Sequence, residues 1–115
     1  MQPSGENKRS QRRVEAAIPI QIRGVDAGGV EYDDVTTALE VSRRGLSFLT
    51  KHDLAIFATL TIVIPGLGHV RPSEGHADFF TEATVVRCIK EGEESYRIGI
   101  RFIGATLPIY SAEGI

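Results

Sequence analysis

The chain has 115 residues, of which 42% are hydrophobic, with a formal net charge of -2 and a single cysteine. That length fits one domain around one core, and the charge argues against general attraction to DNA or RNA. No apolar run approaches the roughly 20 residues that a membrane-spanning helix needs. The opening residues 1–7 lack the apolar segment of a secretory signal, and Cys88 has no partner for an internal disulfide. A reducing, cytoplasmic setting without membrane insertion is therefore expected. Charge is unevenly placed: Lys8, Arg9, Arg12, Arg13 and Arg23 face only Glu15 in the stretch 8–23. Such a segment is either a solvated basic tail or a binding element for an anion.

Residues 1–10 are polar, contain Pro3 and Gly5, and show no apolar periodicity, so they are expected to form a flexible arm ahead of a single domain at 11–115. Ile18, Ile20 and Ile22 alternate with Pro19, Gln21 and Arg23 as in a half-buried strand, with Pro19 marking an edge or a strand start. Asp26, Gly28 and Gly29 then supply a reversal. The next strand runs over 32–42. Strict alternation puts Val35, Thr37, Leu39 and Val41 on its core face and Thr36, Ala38, Glu40 and Ser42 outside. Glu40 and Ser42 thus present a carboxylate and a hydroxyl side by side. Gly45, lacking a Cβ, permits a tight turn or the close approach of another group.

A short strand is expected over 46–50 and another at 61–64, where β-branched residues outweigh the alternative of a helix across 52–60. Residues 65–78, with Pro65, Gly66, Gly68, Pro72 and Gly75, read as a long connection. Residues 84–89 and 96–102 form a hairpin about the polar turn 90–95, with Tyr96, Ile98, Ile100 and Phe102 facing one way and Arg97, Gly99 and Arg101 the other. Residues 104–115 leave room for only one or two helical turns, not a long C-terminal helix. Many short strands without an amphipathic helix point to an all-β fold, a small antiparallel barrel of roughly six strands.

No catalytic constellation stands out. Ser42 and Ser47 lack the glycine-flanked elbow of a hydrolase, and His52, His69 and His76 lack the helical spacing of zinc hydrolases. The glycines near Gly66 and Gly68 are not closed by the Gly-Lys-Ser/Thr of a phosphate loop. No metal ligands, cofactor or enzymatic activity are expected.

Binding remains. Arg9-Ser10-Gln11-Arg12-Arg13 provides an Arg-x-x-x-Arg spacing ahead of the first strand, and Glu40-Val41-Ser42-Arg43-Arg44-Gly45 ends the second. In these two segments, and in Val85-Val86-Arg87 and Gly99-Ile100-Arg101-Phe102, the chain resembles the PilZ domain, a bacterial receptor module for cyclic di-GMP. That family carries Arg-x-x-x-Arg and Asp/Asn-x-Ser-x-x-Gly. The resemblance implies a PilZ-type barrel that binds cyclic di-GMP through Arg9, Arg13, Glu40, Ser42 and Gly45, with Arg12 and Arg44 as further candidate contacts. The chemistry fits, since a guanidinium fork matches phosphate oxygens and the O6/N7 edge of guanine, while a carboxylate accepts from guanine N1–H and N2–H. The arm would close over the ligand and alter contact with an effector protein.

Glu40 departs from the family's Asp or Asn. Its extra methylene moves the acceptor by about 1.5 Å. That departure defines the alternative, a degenerate PilZ adaptor that contacts protein without taking cyclic di-GMP. A plain structural role for Glu40 is an ion pair with Arg97 or Arg101 across the sheet. Nucleic-acid binding by a small barrel would need an interleaved basic and aromatic face, and the aromatics here are scattered.

Overall fold

The computed structural model describes residues 14–67 and 78–107. It contains β1 (Val14–Val25), β2 (Glu31–Ser42), β3 (Gly45–Thr50), β4 (Thr59–Ile64), β5 (Phe79–Gly92) and β6 (Ser95–Ile103). All six pair antiparallel and close in the order β1-β2-β3-β6-β5-β4. This is the all-β barrel that the sequence implies, and no helix occurs among the described residues. Residues 53–58, where a helix was the alternative, are loop and turn. The arm bearing Arg9, Arg12 and Arg13, the loop residues His69 and His76, and the chain beyond Leu107 lie outside the described residues.

Alternation drives the core. Ile20 and Ile22 of β1, Leu60, Ile62 and Ile64 of β4, and Ile98, Ile100 and Phe102 of β6 all turn inward and are buried. Each such side chain contributes about 1.5–3 kcal/mol relative to exposure. Phe48 is fully buried in the same cluster, which Leu54 and Leu107 enter from outside the strands. Pro19 lies where β1 pairs with β2 alone, ahead of the Gln21–Arg23 stretch that also meets β4. A residue without an N–H is tolerated there. β5 runs further than its β-branched core suggests, because Thr81 takes an inward position and its Oγ1 donates to the Ile103 carbonyl at 2.9 Å.

The strict alternation expected along β2 is wrong before Leu39. Tyr32 and Ala38 are buried, whereas Val35 is 75% exposed and Thr37 also faces solvent. The cause is a β-bulge. Ala38 pairs with Phe48 and Glu40 with Ser47, so Leu39 is an extra residue opposite a single step of β3. The bulge resets the phase, which makes Val41 inward and leaves Glu40 and Ser42 outside. A second bulge lies in β5, where Val85 pairs with Ile100 and Arg87 with Gly99, leaving Val86 extra. Val85 is buried, and Val86 and Arg87 are both exposed.

Two further contacts fix the geometry. Asp26 Oδ1 accepts from the N–H groups of Gly28 and Val30, each at 2.9 Å, and closes the β1–β2 turn around Gly29, whose φ is 88°. His52 Nε2 bonds the Asp34 carboxylate while its ring stacks on Tyr32 at 4.8 Å. Burial, with the carboxylates Asp26 and Asp34 adding to it, pushes the Tyr32 phenol up to about 12. At the other hairpin, Gly45 packs against β6 so closely that a Cβ there would lie 2.1 Å from the Ile100 carbonyl oxygen. The close approach that Gly45 permits is therefore that of backbone.

Two outcomes follow from these contacts. Gly45→Ala is expected to lower stability by about 1–3 kcal/mol in urea titration, because the atom it meets is backbone and β3 must move away from β6. For Tyr32, the folded phenol ionises later than the unfolded one. The contribution of this phenol to stability is therefore complete below about pH 10 and is lost as pH rises from there toward about 12. Tyr32→Phe should flatten that part of the urea-midpoint profile, and an unchanged slope would count against the assignment.

Candidate functional site

The outer face of the barrel carries a depression where two cross-strand rows run side by side. One row is Glu40, Ser47, Gly99 and Arg87, on β2, β3, β6 and β5 in turn. The neighbouring row is Ser42, Gly45 and Arg101. Gly45 and Gly99 bring no side chains to the middle of these rows, so the surface is hollow there and walled at both sides. The result is a cavity of about 330 Å³ lined by both rows together with Arg44 and Val86. That volume is at the lower end of the ~300–1,000 Å³ typical of ligand sites.

The β2–β3 turn at its rim is rigid for identifiable reasons. Neither residue of the two-residue connection, Arg43 or Arg44, has the positive φ of the usual hairpin turns. Other bonds hold it instead. Ser42 Oγ donates to the Gly45 carbonyl and accepts from the Arg44 N–H, both at 3.3 Å. The Arg44 carbonyl accepts from Phe102 N–H and the Arg43 carbonyl from Leu107 N–H, both at 2.8 Å. The turn is thus tied to β6 and to the segment after it. Ser42 has one hydroxyl proton, engaged with Gly45, and one lone pair left over, so it can accept from a ligand without breaking the turn.

Electrostatically the cavity is basic. Arg44, Arg87 and Arg101 line it against the carboxylate of Glu40. Among the described residues, no carboxylate forms an ion pair with any of those three arginines. Arg97, one pair further along β6, bonds Glu91 through Nε at 2.7 Å. That hydrogen bond and the charge of Glu91 hold its guanidinium above the ordinary range, with Glu40 adding a smaller push. Arg97 is thus bonded to its hairpin neighbour, and Glu40 is felt by it only as a nearby charge.

Of the residues singled out in the sequence, Glu40, Ser42, Arg44 and Gly45 converge on this cavity. Arg9, Arg12 and Arg13 fall outside the described residues. Sequence reasoning missed Ser47 and Arg87, weighing the first only as a nucleophile and the second only as part of a strand. The adjacent pair Val85-Val86 was the available sign of a bulge, since two successive apolar residues break the alternation. No group of three or more His, Cys, Asp or Glu side chains suited to a metal ion occurs among the described residues.

Comparison with known proteins follows the same lines. No curated protein sequence matches the chain. Among solved structures it is similar to the Bacillus subtilis inhibitor of motility, MotI/DgrA, with a TM-score of 0.62 and 18% identity, over 97% of this chain and 52% of that one. It is also similar to K. pneumonia MrkH, solved as a c-di-GMP complex, with a TM-score of 0.54 and 18% identity, over 84% of this chain and 44% of that one. The chain therefore spans about half the length of these structures, and at such identity the likeness is one of fold. The family model for the PilZ domain matches residues 7–109. With nearly the whole chain under that match, this protein belongs to the PilZ domain family.

Proposed function

We propose that this PilZ domain is a non-enzymatic, cytoplasmic receptor for cyclic di-GMP. The carrying observation is the convergence of Glu40, Ser42 and Gly45 on one basic cavity of the outer barrel face. In this reading Glu40 accepts from guanine N1–H and N2–H, Ser42 accepts through its remaining lone pair, and Gly45 keeps the floor low. Arg44 adds positive charge at the rim. Arg9 and Arg13, with Arg12 assisting, are read as the second half of the clamp, supplied by the arm that precedes β1. The match of the PilZ model from residue 7 onward supports including that arm. The c-di-GMP complex formed by MrkH supports the ligand class.

Closure of the arm would change the surface offered to an effector protein, which is how such a module passes on its signal. One observation favours a second reading. Glu40 stands where the family has Asp or Asn, and a longer acid in a rigid site displaces the acceptor. A domain of that kind would act as an adaptor that contacts protein without cyclic di-GMP.

Titration calorimetry separates the two. Binding at micromolar ligand, weakened about tenfold or more by Arg13→Ala, is the expected result. Glu40→Asp is expected to tighten it. Absence of heat from the folded protein at micromolar ligand would overturn the receptor reading in favour of the adaptor, and equal affinity for Arg13→Ala would overturn the arginine clamp.

A further inference from the structure

The motif residues account for only one wall of the cavity. The other wall is Arg87, and the floor between them holds Ser47. Ser47 is 4% exposed, and its Oγ has no hydrogen-bond partner among the described residues. A buried hydroxyl without a partner is a net cost to the fold unless something else satisfies it. Its outward position on β3, between inward Leu46 and Phe48, aims it into the cavity rather than into the core.

Arg87 reaches the same place from the far side. Its Nε lies 3.5 Å, and its Nη2 3.7 Å, from the point that a Cβ on Gly99 would occupy. The guanidinium therefore lies over the bare backbone of β6, one strand short of Ser47. Adjacent strands are about 4.8 Å apart, so Glu40 and the Arg87 head are separated by roughly two strand spacings with Ser47 between them. Arg101 in the next row adds a second guanidinium on the same side. A hydroxyl that can donate, beside guanidinium forks that only donate, is a donor-rich surface, and its natural complement is a phosphate.

We propose that Ser47 and Arg87 form an anion subsite that holds one phosphate of the bound dinucleotide across the cavity from Glu40. The assignment rests on the cyclic di-GMP reading. It divides the site by chemistry: Glu40 and Ser42 accept from the base, whereas Ser47 and Arg87 donate to the backbone. The Val86 bulge is what makes the division, since without the extra residue Arg87 would follow Val85 into the core.

The test compares cyclic di-GMP with an analogue in which one phosphate is replaced by an uncharged methylphosphonate, using the full chain and calorimetry. The parent should bind the analogue roughly 10- to 100-fold more weakly, and Arg87→Ala should bind both ligands within about threefold of each other. Ser47→Ala should weaken cyclic di-GMP severalfold while leaving the urea midpoint unchanged or higher, since it removes an unpartnered hydroxyl. Equal cyclic di-GMP affinity in the parent and Arg87→Ala would overturn the subsite and leave the receptor reading intact. An Arg87→Ala variant that still discriminates the analogue by the parent's factor would also overturn it. Heat from inorganic phosphate that Arg87→Ala abolishes, with none from cyclic di-GMP, would uphold the anion subsite and overturn the nucleotide reading.

Discussion

Two β-bulges, at Leu39 in β2 and at Val86 in β5, set everything that the outer face of this barrel can do. In an unbroken strand, side chains two apart share a face, so the residues two after buried Ala38 and Val85 would also point inward. Those residues are Glu40 and Arg87. Placing a carboxylate or guanidinium in the apolar core is costly, and the inserted residues turn both outward instead. They emerge at the two ends of one cross-strand row, with Ser47 and Gly99 between them. The cavity is the space over that row.

A second constraint keeps the space open. Gly45 brings β3 so near the Ile100 carbonyl that no side chain fits, and Gly99 leaves β6 bare beneath the Arg87 head. Conserving this geometry requires a stiff rim, which Ser42, Phe102 and Leu107 supply by bonding the β2–β3 turn. The hydroxyl of Ser42 thus serves the fold first, and what it offers a ligand is its remaining lone pair. A site whose walls hold opposite charges across a short floor suits a ligand that itself has a donor-rich base edge and an anionic backbone. That match is the physical content of the receptor reading.

Much of this was legible in the sequence. The alternation of Ile20 and Ile22, and of Ile98, Ile100 and Phe102, marks inward faces directly, because burial selects apolar residues every second position. The turn at Asp26 and Gly29 was equally plain. Glu40 and Ser42 were correctly placed outside by counting back from Val41, but the same count misplaced Val35, Thr37 and Ala38. A bulge changes phase without changing composition, so strict alternation cannot see it. Ser47 and Arg87 were hidden for another reason: they are 40 residues apart and meet only through the pairing of β3 with β6 and of β6 with β5. Pairing partners are a property of barrel closure, which short-range patterns do not encode. Gly45 was recognised as a point of close approach, while the group that approaches, the backbone of β6, required the fold.

In the receptor reading, ligand binds over the Glu40–Ser47–Gly99–Arg87 row. The most direct measurement is a backbone amide NMR titration of the full chain with cyclic di-GMP. Saturable shifts are expected, confined to residues 40–47, 86–87 and 99–101 and to the arm, with the distant outer row of Gln21, Val63 and Phe80 unmoved. Shifts centred on that distant row, or none in 40–47 and 99–101 at saturating ligand, would contradict it.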